Sequence, residues 1–176
     1  MACENLTLGR LFPCKSVGGI KEIYFINYDE DLFADAISNL NATTDVIEDL
    51  TTPVSLWKYE VVGGQSFDEA NNTTATSTSW TSTGTIVLEN QDAPTRKQLA
   101  IMAKSRLHVV TLDYNGDYKI YGLQHGCDVA VNSVSGSVMG DGNSFNLTIT
   151  SNETSPAHFI DSTAISDSGS DAFDIQ

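Results

Sequence analysis

Positively charged side chains are scarce in this chain. Its 176 residues include 9 Lys and Arg against 23 Asp and Glu, which gives a formal net charge of −14 at pH 7. A surface of this sign repels phosphate, so the composition argues against a protein that reads duplex DNA. It leaves open a surface past which DNA moves without adhering, because such a surface also needs an excess of acid.

Long hydrophobic runs are missing as well. No segment approaches the roughly 18 consecutive apolar residues of a membrane span. The first residues, MACENLTLGRLFPCK, have no apolar run behind a basic patch and so lack the pattern of a secretory signal. We therefore expect a soluble protein that is made in a cytosol and has no contact with a membrane.

Cysteine is rare and irregularly spaced. Cys3, Cys14 and Cys127 are an odd number without CxxC spacing, and nothing pairs them with His in the way that a zinc site requires. We expect three reduced thiols, with Cys127 serving as a small apolar residue in a strand.

Motifs that carry chemistry are absent too. The chain has no P-loop, dinucleotide fingerprint, HExxH or GxSxG sequence, and its three histidines (His108, His125, His158) are scattered. The run Asp113-x-Asn115-x-Asp117 resembles the start of a calcium loop, but Gly falls at the fourth position and no acid stands at the twelfth. We predict that the protein is not an enzyme and that it has no catalytic, cofactor or metal site.

The sequence does contain the residue patterns of β-strands. Its length favours one domain over residues 1–160, with an extended N-terminal segment, and the last 16 residues (161–176) form an acidic tail that is either disordered or bound to a neighbour. Asn115-Gly116 between apolar runs predicts a two-residue type I′ hairpin turn. Alternation of apolar and polar residues predicts a largely antiparallel sheet with strands over Lys21–Asn27, Leu56–Val62 (Trp57, Tyr59 and Val61 inward), Thr85–Glu89, Leu107–Asp113, Tyr118–Leu123, Asp128–Val138 and Ser144–Thr150 (Phe145, Leu147 and Ile149 inward).

Two segments have helical spacing. Residues 29–49 hold seven acids and no base, with apolar residues three and four apart, which fits either a short helix or an acidic loop with hydrophobic anchors. Asp92 is a good N-cap and Pro94 suits a first turn, so we predict a helix over Thr95–Ser105. Its bases either solvate the outer face or meet the acidic segment of a neighbouring copy.

A polar stretch lies inside the strand-rich region. Residues 70–83 (ANNTTATSTSWTST) are small and polar and cannot close a core of their own. We read them as the end of a long β-hairpin arm over residues 56–90, broken at Gly63-Gly64; the alternative is a flexible surface loop. We expect such an arm to contact a neighbouring subunit. The predicted subunit-interface residues, on the arm and the following helix, are Phe67, Asn72, Thr76, Trp80, Arg96, Lys97 and Lys104.

The order of these elements resembles a known family. A strand core, a long hairpin with a polar tip, one helix, and paired strands ending in GDGNSFNLTITSNETSPAHFI (residues 140–160) are similar to the tail-tube, or major tail, proteins of long-tailed bacteriophages. The resemblance covers residues 17–160 and is one of architecture and sequence texture.

The resemblance implies a mainly β protein, an antiparallel β-sandwich or barrel with one flanking α-helix and a long β-hairpin arm. It also implies hexameric rings that stack into a hollow tube through which the genome passes, with the arm and both termini touching adjacent rings. The protein would then be a virion subunit, assembled in the host bacterial cytoplasm with other tail proteins, and DNA would pass without specific binding.

Other functions fit the same pattern. A capsid-decorating or head-to-tail joining virion protein would share the strand content and the acidity. A carbohydrate-binding β-sandwich is the contrasting class, because its aromatic residues could line a sugar-binding face. An unrecognised hydrolase comes last.

Overall fold

The computed structural model describes residues 17–61, 65–166 and 172–176. Within them the chain forms two α-helices, Glu30–Ser38 (α1) and Ala93–Met102 (α2), and a short 3₁₀ turn at Ser162–Ala164. The strands are Ile20–Asn27 (β1), Val46–Ile47 (β2), Val54–Glu60 (β3), Ser66–Thr73 (β4), Thr78–Glu89 (β5), Leu107–Asp113 (β6), Tyr118–Tyr121 (β7), Cys127–Val134 (β8), Ser144–Glu153 (β9), His158–Ile160 (β10), Ile165–Ser166 (β11) and Phe173–Ile175 (β12).

The strands follow one hydrogen-bonded path, β11-β12-β3-β1-β6-β8-β9-β5-β4, with β7, β10 and β2 branching from β6. All pairs are antiparallel except β10-β2, β11-β12 and β12-β3. β6 and β8 share only the pair Leu107–Cys127, so the path bends there and two halves face each other. The mainly β architecture, sandwich-like with helices at its flanks and a long hairpin, is the predicted fold class.

Two hydrophobic clusters cover opposite faces of the β1-β6 half. Ile23 and Phe25 enter the first cluster, between the two halves and α2, whereas Tyr24 and Ile26 enter the second, under α1 and the C-terminal strand. All four are almost completely buried. The continuous apolar run in β1 follows from burial on both faces. In β9, Phe145, Leu147 and Ile149 point inward as predicted.

β3 departs from its predicted pattern for the same reason. Leu56, which we had placed on the solvent face, is fully buried in the second cluster, and Trp57, which we had placed inside, is 48% exposed. Tyr59 is half-buried, with its ring edge-on to Phe25 at 5.1 Å between centroids. Alternation alone could not identify one buried face because the strand has apolar neighbours on both.

The acidic segment over residues 29–49 contains a helix. Asp29 caps α1 by accepting the Asp31 N–H at 3.0 Å, and Leu32 and Ala36 are buried. Beyond the helix, the Asp35 carboxylate accepts hydrogen bonds from the backbone N–H and the hydroxyl of Thr51 at 2.8 and 2.6 Å. These bonds, led by the Thr51 hydroxyl, lower the pKa of Asp35.

α2 begins as predicted. The Asp92 side chain accepts the Thr95 N–H at 3.2 Å, and Pro94 lies in the first turn. The helix ends at Met102 rather than Ser105. Leu99 and Met102 are buried, but Ala103 is exposed.

The predicted type I′ turn is wrong. That turn needs positive φ at both central residues, and only Gly116 (φ 93°) has it, whereas Asn115 does not. Asp113 organises the loop instead, because its carboxylate accepts the backbone N–H groups of Asn115 and Asp117 at 2.8 and 3.0 Å.

The hairpin arm is shorter than predicted. β4 pairs with β5 from Ser66–Thr85 to Thr73–Thr78, whereas β3 pairs with β1 and β12 and is no part of it. β5 also pairs with β9 over residues 80–89, so only the tip projects beyond a third strand. The predicted break at Gly63-Gly64 lies outside the described residues.

The prediction for the end of the chain is also wrong. We expected residues 161–176 to be disordered or to bind a neighbour, but Phe173 is fully buried and β12 pairs in parallel with β3 of the same chain. The Val54 N–H donates to Ala172 O, and the Gln176 N–H to Leu56 O, both at 2.9 Å. The predicted N-terminal extension (residues 1–16) and residues 167–171 lie outside the described residues.

Candidate assembly surface

The predicted interface residues fall into two groups that the fold keeps apart. One group lies on the β4-β5 hairpin and the other on α2, which begins just after the opposite end of β5. A strand of 12 residues spans roughly 36–40 Å. In the hairpin group Asn72 and Thr76 are exposed while Phe67 and Trp80 are half-buried; in the helix group Arg96, Lys97 and Lys104 are exposed.

Phe67 packs within its own subunit. Its ring stacks on Tyr121 with centroids 4.0 Å apart and planes inclined by 23°. Gly84 lies directly beneath it, and a Cβ there would come within 2.4 Å of the Phe67 ring. This glycine makes the close approach of ring and backbone possible.

The hairpin is reinforced by polar side chains across three strands. Asn72 Nδ2 donates to Thr81 Oγ1 at 2.9 Å, and Thr81 Oγ1 donates to Asn152 Oδ1 at 2.8 Å. The abundance of Asn and Thr in this segment therefore produces a regular surface that links β4, β5 and β9. The pairing of β4 with β5 therefore favours the hairpin over the surface loop that the sequence left open.

β4 is the edge of the strand path, and among the described strands it pairs only with β5. Thr74 N donates to Ser77 O at 2.8 Å just beyond the paired residues. Bonded and non-bonded pairs alternate along an antiparallel ladder, so the N–H groups of Glu69, Asn71 and Thr73 point away from β5. β4 has neither Lys nor Pro, which often block pairing at edges.

A second surface, which the sequence did not reveal, lies beside α2. We call it the α2 groove. It has a volume of about 410 Å³, and Trp57 (48% exposed) and Ile101 (53% exposed) stand open beside it. Its remaining lining includes Phe25, Tyr59, Met102 and Leu107. The signal that could have revealed it is Ile101, an apolar residue between Lys97 and Lys104 on one helical face.

The histidines and Cys127 differ in their burial. His108 is completely buried; with its proton on Nδ1, the ring donates to Gly122 O at 2.7 Å and accepts the Asp29 N–H at Nε2 at 3.1 Å. Burial lowers the pKa of His108, although the hydrogen bond to Gly122 O opposes the change. His125 is exposed, and Cys127 is a buried free thiol whose pKa burial raises to about 12.

One buried carboxylate closes the loop between β7 and β8. Glu153 accepts the backbone N–H groups of Gln124 and His125 at 3.1 and 2.9 Å. Burial raises its pKa, although both hydrogen bonds oppose the change. Its oxygens are occupied by backbone donors; in the calcium-like run, Asp113 Oδ1 accepts two backbone N–H groups and Oδ2 accepts the side-chain amide of Asn115. Across residues 17–61, 65–166 and 172–176, no three His, Cys, Asp or Glu side chains are grouped to hold a metal ion.

The aromatic residues do not form one platform. Trp57 in β3 and Trp80 in β5 are five strand positions apart along the path. Tyr121 is buried beneath Phe67, and Tyr59 packs against Phe25. The sugar-binding face that the sequence left open would therefore have to rest on isolated rings.

Comparison with known proteins gives no relative: no protein-family model, curated protein or solved structure matches the chain. Within the part of the chain that the structure describes, no helix is long and apolar enough to cross a membrane.

Proposed function

We propose that the protein is a structural subunit that assembles with copies of itself into a hollow tube, as the tail-tube proteins it resembles do. In this proposal six copies form a ring, rings stack, and other tail proteins cap the tube in the virion. The observation that carries the proposal is the edge of β4, where backbone donors and acceptors face outward on a strand of eight residues.

An open edge of this length favours pairing with another chain. Natural proteins usually shorten, charge or cover such edges, because unpaired N–H and C=O groups recruit other strands. The charges of β4 are Asp68 and Glu69, and Glu69 Oε1 accepts the Ala157 N–H at 2.7 Å within the same subunit. Pairing with a neighbouring copy would satisfy the edge and join the sheets of adjacent subunits.

The charge of the molecule supports the same proposal. A tube that conducts DNA must not retain it. A net charge of −14 makes the average protein surface repel the phosphates of DNA. In this proposal the basic side chains of α2 contact neighbouring protein subunits.

A single backbone change tests the role of the edge. Asn71→Pro removes an N–H that points away from β5 and so leaves the β4-β5 ladder intact. We expect this variant to fold with an unchanged unfolding midpoint but to lose assembly, measured by sedimentation velocity over a range of concentrations. Asn71→Ala is the matched control, because it removes the same side chain and keeps the N–H.

Equal assembly of the proline variant, the alanine variant and the unaltered protein would contradict the proposal that β4 pairs with a neighbouring copy. Loss of assembly in both variants would assign the effect to the side chain and would also contradict it.

A further inference from the structure

Two exposed apolar features lie on separate parts of the surface. The first is the α2 groove, lined by Leu107, which pairs with Cys127 at the start of β8. The second is the loop after β8, residues 135–143, which we call the β8–β9 loop. No residue of this loop lines the groove of its own subunit, so the groove is open to another occupant.

The β8–β9 loop presents two bare apolar side chains. Met139 is fully exposed and Val138 is 68% exposed. Such exposure is unusual for neighbouring apolar residues on an otherwise polar loop. Met is long, unbranched and adaptable, and it therefore suits insertion into an irregular groove.

Hydrogen bonds within the β8–β9 loop and at its base hold its conformation. The Asp141 carboxylate accepts the Ser137 N–H at 2.7 Å, the Ser137 hydroxyl at 3.0 Å and the Val138 N–H at 3.1 Å. At its base, Gln91 Nε2 donates to Val134 O and to Ser144 O, both at 2.8 Å. A loop held in this way loses little conformational entropy when it docks.

The charges around the two features are complementary. Lys97 lies one turn before Ile101 on α2, and Lys104 follows the end of that helix; both are exposed near the groove, whose own lining includes Lys58. The β8–β9 loop carries Asp141, Glu89 lies beside Gly142, and no Lys or Arg occurs anywhere after Lys119. The β8–β9 loop is therefore an acidic, apolar projection, and the apolar groove has basic side chains in its lining and beside it.

From these observations we infer that the β8–β9 loop of one copy docks in the α2 groove of the next, with Met139 against Ile101 and Trp57. The inference rests on the proposed self-assembly and names one of its contacts. Because the two surfaces differ, the contact is heterologous and propagates head to tail, closing into a ring or continuing as a filament.

Disulfide capture tests the contact directly. In full-length chains carrying Cys3→Ser and Cys14→Ser, one tagged copy receives Ile101→Cys and a differently tagged copy receives Met139→Cys. Cys127 is buried and should not take part. After mixing and mild oxidation, we expect the mixed dimer to form at least ten times faster than with Thr76→Cys, an exposed residue of the hairpin tip, in place of Ile101→Cys.

No excess over the Thr76→Cys control would overturn the inference. This is also the result expected if residues 1–16 of the same chain, or a small ligand, fill the groove. A dominant Met139→Cys homodimer would overturn it too, because it requires a symmetric contact.

A charge comparison provides an independent readout. Met139→Lys places an ammonium group opposite Lys97 and Lys104, whereas Met139→Glu places a carboxylate there. Both changes lie on a fully exposed side chain and should leave the unfolding midpoint unchanged. We expect the lysine variant to associate at least tenfold more weakly than the glutamate variant, and equal association would contradict the charge argument.

The outcomes separate this inference from the proposed function. Tubes that form without the Ile101–Met139 cross-link would leave the tube proposal standing and remove this contact. A specific cross-link in assemblies that are not hollow would do the reverse.

Discussion

His108 fastens two parts of the fold with one ring. Its two nitrogens hold Gly122 O and the Asp29 N–H, and its face stacks on Tyr28 with centroids 5.1 Å apart. Asp29 is also the residue that caps α1. The neutral form of a buried imidazole therefore fixes the start of the acidic helix against the β7-β8 loop.

This arrangement predicts a specific dependence on pH. Because burial lowers the pKa of His108 in the folded state, the unfolded chain binds more protons once the pH falls below its ordinary value near 6.5. The free energy of unfolding should therefore fall as the pH decreases from 7.5 to 5.5, and His108 should account for about 1 kcal/mol of the loss. Urea denaturation at the two pH values measures it.

His108→Asn, which does not titrate, should lack this part of the pH dependence. The raised pKa of Glu153 acts in the opposite direction, because that carboxylate binds its proton more readily when folded, but it is common to both proteins and cancels in the comparison. The same pH slope in both proteins would show that His108 is not the group responsible.

Single residues also show where sequence reasoning stops. Cys127 was predicted as a small apolar residue in a strand, and the structure confirms it as a buried thiol in β8. Trp57 was placed on the wrong face of its strand, and the packing of Phe67 on Tyr121 could not be foreseen, because the surroundings of a large ring depend on elements far away in sequence.

At the scale of elements, the C-terminal strand is the clearest departure from expectation. Acidic and Ser-rich residues dominate the tail, and that composition favours disorder. Three residues were enough to override it, since Phe173 fills the second cluster and β12 adds to the edge of β3. Composition averaged over a segment conceals a short anchor of this kind.

Removing the anchor should be costly. Phe173→Ala leaves a cavity in a cluster where the side chain is fully buried, and we expect it to lower the free energy of unfolding by about 3–5 kcal/mol. Ile175→Ala, on the same strand and only half-buried, is the matched control and should cost less. Urea denaturation at pH 7.5 compares them, and equal small losses would mean that the tail contributes little to the fold.

Helix and turn signals differed in what they could predict. The start of α2 followed from Asp92 and Pro94 because capping is local chemistry. The segment over residues 29–49 stayed ambiguous because α1 is held by burial of Leu32 and Ala36 against distant strands. Asn115-Gly116 misled because the Asp113 side chain supplies hydrogen bonds that favour a different loop.

On the scale of the whole molecule, three exposed features carry the proposal of self-assembly. The β4 edge lies at one end of the strand path, and the α2 groove and the β8–β9 loop are two exposed apolar surfaces. Strand content and acidity could be predicted from the sequence. The surfaces could not, since they depend on which strands find partners within the chain and which do not.

The measurement that decides most is negative-stain electron microscopy of the purified protein over a range of concentrations. A self-assembling tube subunit should give rings or hollow tubes of uniform diameter, increasing with concentration. Dispersed single subunits at every concentration, in a sample whose cooperative unfolding shows that it is folded, would contradict the proposal that this protein builds a tube.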